Sequence, residues 1–316
     1  MIASAAILQR GAPGREACAT TERRILPAVR PFAKCGVFAY SPYTPAGASG
    51  SRRLGRAVLF AADVIDLHSH VLSGIDDGPK TIDGSLDIAR AAKDGGTTTL
   101  LATPHVSSRY PNDAATIARL VSELSARLDA EGIALEVRPG AEIAITRVAE
   151  LDADELRSLS LGGGPWLLVE PPFTPIASGV DAIVHDLLRR EHRVLLAHPE
   201  RSPAFQRDPE MLVGLVRAGV LTSITAGSLT GQFGNTARRF AQTLLEHGLV
   251  HNVASDAHDH LRRPPKLAQA LGLAGPPELG EWLVREVPAA ILAGREIPAR
   301  PLARARASRL PWRRSA

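Results

Sequence analysis

Residues 64–79 read VIDLHSHVLSGIDDGP: an apolar run ends in two histidines two residues apart, His68 and His70, and two adjacent carboxylates, Asp76 and Asp77, follow in the next loop. In a strand, side chains at i and i+2 point to the same side, so both imidazoles project together from one strand end. A metal site can begin this way. A His-x-His pair alone is also what a solvated loop offers, so the remainder of the chain must decide.

The same chemistry recurs downstream. Short apolar runs at 64–68, 97–102, 133–138, 166–170, 193–197, 220–225 and 250–254 read as strands. Between them lie helical patterns at 83–94, 113–130, 179–191, 209–218 and 235–247, with further helices near 265–271 and 278–293. The 113–130 segment carries its apolar stripe on Ile117, Leu120, Val121, Leu124 and Leu128. Gly132, Gly219 and Gly248 stand where helices end. Strands alternating with helices predict an α/β fold with a parallel sheet, and a barrel closes such a sheet without edges.

Metal-type residues sit just past strand after strand. TTTLLATPH ends at His105, PGAE supplies Glu142, and WLLVEPPF carries Glu170. VLLAHPER brings His198, Glu200 and Arg201, and VHNVASDAH brings Asp256 and His258, whereas LTSITAGS offers only Thr225 and Ser228. Barrel active sites are built from loops at this C-terminal face. Imidazoles and carboxylates without thiolates suit Mn, Fe or Zn, and several buried carboxylates call for more than one cation. Paired metals serve phosphoryl transfer by stabilising the attacking and leaving oxygens. His185, His192, His247 and His251 read as surface or packing residues, His260 stays open, and Asp66 reads as a possible acceptor orienting an imidazole.

Bulk composition narrows the field. At 316 residues with 45% hydrophobic content, the chain suits one such domain. No apolar run approaches the 18 residues that would span a membrane. Cys18 and Cys35 both precede the motif region, which excludes a thiolate zinc site or a phosphocysteine mechanism there. The sequence pI of about 9.4 misleads. Residues 1–62 hold nine Lys/Arg against Glu16 and Glu22, and residues 295–316 hold seven Arg against Glu296, so with an overall charge of +4 the body carries −9. The basic ends read as solvated tails, not as nucleic-acid-binding arms. Residues 1–62 read as a disordered basic extension or a mis-assigned start, 63–294 as the catalytic domain, and 295–316 as a flexible basic tail.

As an ordered set, His68-Ser69-His70, Ile75-Asp76-Asp77-Gly78, Thr103-Pro104-His105, Gly140-Ala141-Glu142, Glu170, Ala197-His198-Pro199-Glu200-Arg201 and Ser255-Asp256-Ala257-His258 resemble the polymerase and histidinol phosphatase (PHP) superfamily. The phrases IDDGPKT, GAE, HPER and SDAH followed by RPP are similar to those of the bacterial tyrosine-protein phosphatases of capsule and exopolysaccharide loci. The resemblance implies a distorted (β/α)7 TIM-like barrel with a centre of three metal ions, usually manganese, with iron or zinc as other occupants. It implies His68, His70, Asp77, His105, Glu142, Glu170, His198, Asp256 and His258 as ligands, with Asp76 as an alternative to Asp77. Arg201, Arg263 and His198 are the implied catalytic set, with Arg262 as an alternative to Arg263. The implied enzyme is cytoplasmic and acts on a phosphotyrosine protein, a tyrosine autokinase of polysaccharide export. A histidinol-phosphate-type small-molecule phosphatase and a binuclear amidohydrolase are the competing expectations; Lys34, Lys80, Lys93 and Lys266 sit at no predicted strand end where the latter would need a bridging lysine.

Overall fold

The computed structural model describes residues 63–175 and 178–301. The expected extension at 1–62 and residues 302–316 of the expected tail lie outside them. Residues 295–301 run along the body: Arg300 donates to Val250 O (3.1 Å) and Leu245 O (2.8 Å), and Trp282 Nε1 donates to Pro298 O (3.0 Å).

Among the described residues the strands are β1 (Val64–Ser69), β2 (Thr97–Ala102), β3 (His105–Val106), β4 (Glu136–Pro139), β5 (Glu142–Ala144), β6 (Trp166–Glu170), β7 (Arg193–Ala197), β8 (Leu221–Thr225) and β9 (Asn252–Ala254). All pair in parallel, in two sheets ordered β1-β2-β4 and β3-β5-β6-β7-β8-β9. Parallel strands need crossovers, and helices such as Ile82–Asp94, Ala114–Ala130 and Gly234–Glu246 supply them. Strands covered on both faces read as continuous apolar runs, and β6, WLLVE, is buried through its first four residues.

The helices follow from local sequence. Asp113 caps Ala114–Ala130 by accepting from Thr116 N at 2.7 Å, and Ile117, Val121, Leu124 and Leu128 are buried. Each such side chain contributes roughly 1.5–3 kcal/mol by leaving water. Gly132 then takes φ 66°, a conformation a side chain would strain.

Four expectations need correction. His105 and Glu142 do not trail from strands into loops; each opens a short strand of its own. Pro104, without an N–H, interrupts the ladder after β2, and Gly140-Ala141 interrupts it after β4. The third predicted strand begins at Glu136, not at residue 133. The helix expected at 278–293 is three pieces, Pro277–Glu281, a π-helical turn Trp282–Glu286 and Val287–Leu292, because Pro288 cannot donate to the preceding turn. The helix expected at 265–271 runs Ala268–Ala274, after the Pro264-Pro265 pair.

The first strand is tied to the chain segment that follows the last. Asp256 N donates to His68 O (2.9 Å) and His70 N to Ala257 O (2.8 Å). Asp66 does not orient an imidazole; its Oδ1 accepts from His68 N (3.3 Å) and Ser255 N (3.0 Å).

Away from this junction, the His251 ring accepts from Thr222 N at 3.2 Å. Burial, with Arg300 nearby, pulls its pKa down to about 4. The unfolded value is near 6.5, so the folded state binds fewer protons between these values and stability falls as pH drops through that window. For wild type this residue should remove about 2 kcal/mol between pH 7.5 and pH 5. Urea midpoints at both pH values should show a shallower pH dependence in His251→Asn; an unchanged dependence would refute the assignment.

Candidate metal centre

The turn after β1 fixes the first two imidazoles. His70 Nδ1 donates to Asp76 Oδ2 at 2.7 Å, and the same oxygen accepts from His105 N at 3.1 Å. Asp76 Oδ1 accepts from Gly78 N at 2.9 Å. A Cβ at Gly78 would meet His70 O at 2.3 Å, so only glycine lets the turn pass. With Nδ1–H engaged, His70 presents the Nε2 lone pair inward. Asp76 thus orients an imidazole, while the neighbouring Asp77 reaches the far side of the group. Its Oδ1 lies 3.3 Å from His258 Nε2 and 3.5 Å from His105 Nε2.

Glu142 is the hub. Its Oε2 lies 3.0 Å from His105 Nδ1 and 3.3 Å from both His68 Nε2 and His70 Nε2, and Oε1 lies 2.7 Å from His198 Nε2. Asp256 Oδ1 faces the same two Nε2 atoms at 3.5 and 3.4 Å. Donors bound to one cation at about 2.1 Å stand about 3.4 Å apart in a tetrahedron, so these separations have the size of a coordination polyhedron. Four overlapping groups emerge: His70/Asp77/His105/His258, His68/His70/Asp256, His68/Glu142/His198 and His105/Glu142/Glu170. Together they comprise the nine residues named from the sequence. Four of the nine belong to two groups each, which suits adjacent cations sharing ligands.

Strained backbone aims two of them. His198 (φ 29°) and Asp256 (φ 52°) are non-glycine residues in the left-handed region, each just past a strand end. His258 Nδ1 donates to Asp256 O at 3.0 Å, which leaves its Nε2 lone pair toward Asp77.

The electrostatics favour a cation. Glu142 Oε2 is buried without a hydrogen-bond partner, a costly state for a carboxylate. Burial and the Glu142 charge push Glu170 up to about 8, whereas burial pulls His198 down to about 4, leaving it a neutral lone-pair donor at pH 7. Burial works to raise Asp256 as well, yet His68, His70 and Arg263 hold its carboxyl well below the usual range. A buried pocket lined by carboxylate oxygens and imidazole nitrogens is the chemistry of a hard or borderline divalent ion.

Two guanidiniums close the other side. Arg201 Nη1 and Arg263 Nη2 each donate to Asp256 Oδ2 at 2.6 Å. The structure brings in Arg263 and leaves Arg262 exposed, with its carbonyl accepting from Gln232. Arg201 also lies over the Phe233 ring (4.2 Å to the centroid).

Sequence reading left Glu200, Thr225 and Ser228 without roles. They form one buried unit: Glu200 Oε1 accepts from Thr225 N (3.0 Å) and Ser228 Oγ (2.6 Å), anchoring the turn that carries Arg201. The polar residues after the sixth predicted strand were the available signal. Of the remaining histidines, His185 binds Asp181 O, and the exposed His260 stands 3.8 Å from Asp87, outside the centre.

A profile of the capsular polysaccharide synthesis CpsB/CapC family matches residues 64–275. The tyrosine-protein phosphatase YwqE of Bacillus subtilis is 38% identical over 197 residues, covering 62% of this chain and 78% of its own. The tyrosine-protein phosphatase CpsB of Streptococcus agalactiae serotype V is 28% identical over 221 residues, covering 66% and 88%. A crystal structure from a study of YwqE of Bacillus subtilis and CpsB of Streptococcus pneumoniae, described as unique metal-dependent tyrosine phosphatases, superposes with a TM-score of 0.68 at 32% identity, covering 76% of this chain and all of the other. With the matched segment containing every residue of the centre described above, this chain belongs to the capsular polysaccharide synthesis CpsB/CapC family.

Proposed function

We propose that this chain is a metal-dependent phosphoric monoester hydrolase that removes phosphate from tyrosine in a protein, with a cytoplasmic tyrosine autokinase of polysaccharide export as its substrate. The observation that carries the reading is the convergence of nine imidazole and carboxylate side chains with two arginines on one carboxylate, Asp256. The names of the related phosphatases support the substrate class. We further propose a distorted (β/α)7 barrel, supported by the bonds joining His68 and His70 to Asp256 and Ala257.

In this reading His68, His70, Asp77, His105, Glu142, Glu170, His198, Asp256 and His258 hold three divalent ions of the manganese type, iron or zinc being the other candidates. Bound there, the ions would supply a hydroxide nucleophile near neutral pH and offset charge on the phosphoryl group. Arg201 and Arg263 each keep N–H groups beyond those given to Asp256, and these bind phosphate oxygens and steady their charge as it grows. Asp256 holds the two forks side by side. His198 stays neutral and donates its lone pair, and no proton need come from it, since a tyrosine phenol, with pKa near 10, leaves more readily than an alkyl alcohol. Asp76 keeps His70 in the required tautomer.

The direct test is hydrolysis of a phosphotyrosine peptide by chelator-treated protein before and after Mn²⁺ addition. Activity should vanish on chelation, return with metal, and fall roughly 100-fold or more in His198→Ala; equal metal-free activity in wild type and variant would sink the mechanism. Asp76→Ala should weaken Mn²⁺ binding by about 10- to 100-fold in a metal titration. Unchanged affinity there would remove Asp76 from the orienting role.

A further inference from the structure

Aromatic residues are scarce in this chain, at 4%. Among the described residues, Trp166, Trp282, Phe205 and Phe240 are buried in the core. Among the described residues the aromatic side chains that reach water are Tyr110, Phe173 and Phe233, and each touches a histidine or arginine of the metal centre. Tyr110 stacks on His105 (centroids 5.7 Å apart, 10° between planes). Phe233 lies under Arg201 and Arg263 at 4.2 and 5.6 Å. Phe173, three residues past Glu170, stacks on His198 (5.4 Å, 24°) and lies 5.2 Å from the Arg201 guanidinium.

Phe173 differs from the other two in being 46% exposed. Single exposed apolar residues are ordinary on surfaces, and Leu261 and Leu273 are such cases. A large ring standing half in water beside a phosphate-binding arginine is a different matter. In an aryl phosphate the first ring carbon is two bonds from phosphorus, so a phosphoryl group held by Arg201 brings the aryl ring into the neighbourhood of Phe173. An aromatic pair there gains from offset or edge contact beyond the area it buries. An alkyl phosphate offers no such surface.

We propose that Phe173 is the aryl-binding residue of this site, one that favours aromatic over aliphatic phosphomonoesters by packing its exposed ring against that of the substrate. The inference rests on the phosphomonoesterase reading above and adds to it the residue that selects the leaving group. Tyr110 and Phe233 flank the same mouth but are half-buried and engaged with His105 and the two arginines, so they shape the site more than they offer free surface.

The test is calorimetric binding of phenylphosphonate and methylphosphonate, neither hydrolysable, to the full-length Mn²⁺-loaded protein. Wild type should prefer the phenyl compound. Phe173→Ala should shrink that preference by roughly 3- to 10-fold while methylphosphonate affinity stays within about twofold. Phe173→Trp should restore the preference and Phe173→Leu should not. No preference in wild type, an undiminished one in Phe173→Ala, equal weakening of both compounds, or no binding of either overturns the proposal. Equal weakening would mean that Phe173 only props Arg201 and His198. Turnover of a phosphotyrosine peptide is a separate readout: its absence alongside a persisting phenyl preference would defeat the phosphatase reading and leave the aryl site standing.

Discussion

A carboxylate oxygen sealed inside a protein without a hydrogen bond is the constraint on which this architecture turns. Glu142 Oε2 has three imidazole nitrogens around it and no hydrogen bond. Such a group is tolerated only when a positive charge is supplied, because the interior screens poorly and water cannot reach it. His198 and His258 cannot supply it, since burial pulls both imidazoles down, while the carboxylates beside His70 and His105 hold those two up against burial. The rest of the site follows from that need. Histidines offer lone pairs, further carboxylates add charge, and the two arginines settle the outer oxygen of Asp256 and so keep the excess from growing.

Delivering nine side chains to one small volume requires the backbone to depart from regularity at chosen places. Pro104 and Gly140-Ala141 break the ladders so that His105 and Glu142 restart as paired strands, directly opposite one another in register. His198 and Asp256 take left-handed conformations that ordinary loop residues avoid. These departures cost stability, and the surrounding parallel sheets, buried on both faces, hold them in place.

Much of this was legible in the sequence because metal chemistry limits residue types and parallel topology limits where they stand. β2, β6 and β7 begin and end at the residues the apolar runs predicted, since such runs have few alternatives. The two-residue strand at His105–Val106 was invisible, being too short to carry a period and preceded by a proline that reads as a turn. The choice between Asp76 and Asp77 was also beyond periodicity. Neighbouring side chains in a turn point apart, and the approach of Gly78 N and His105 N to Asp76 makes clear which one serves the backbone. Asp66 was read as a partner for an imidazole, yet it binds amides, because a buried acceptor takes the nearest unpaired N–H groups.

The junction through Asp66 has a consequence for how the molecule is made. Its two amide partners, His68 and Ser255, come from opposite ends of the domain, and the contact to Ser255 spans 189 residues. Contacts so distant in sequence close late, after the intervening helices and strands have formed. A chain emerging from the ribosome therefore carries a scattered set of ligands for most of its synthesis. Two of the four ligand groups, His70/Asp77/His105/His258 and His68/His70/Asp256, cannot close until Asp256 and His258 have appeared, so the full centre is complete only near the end of the domain's synthesis.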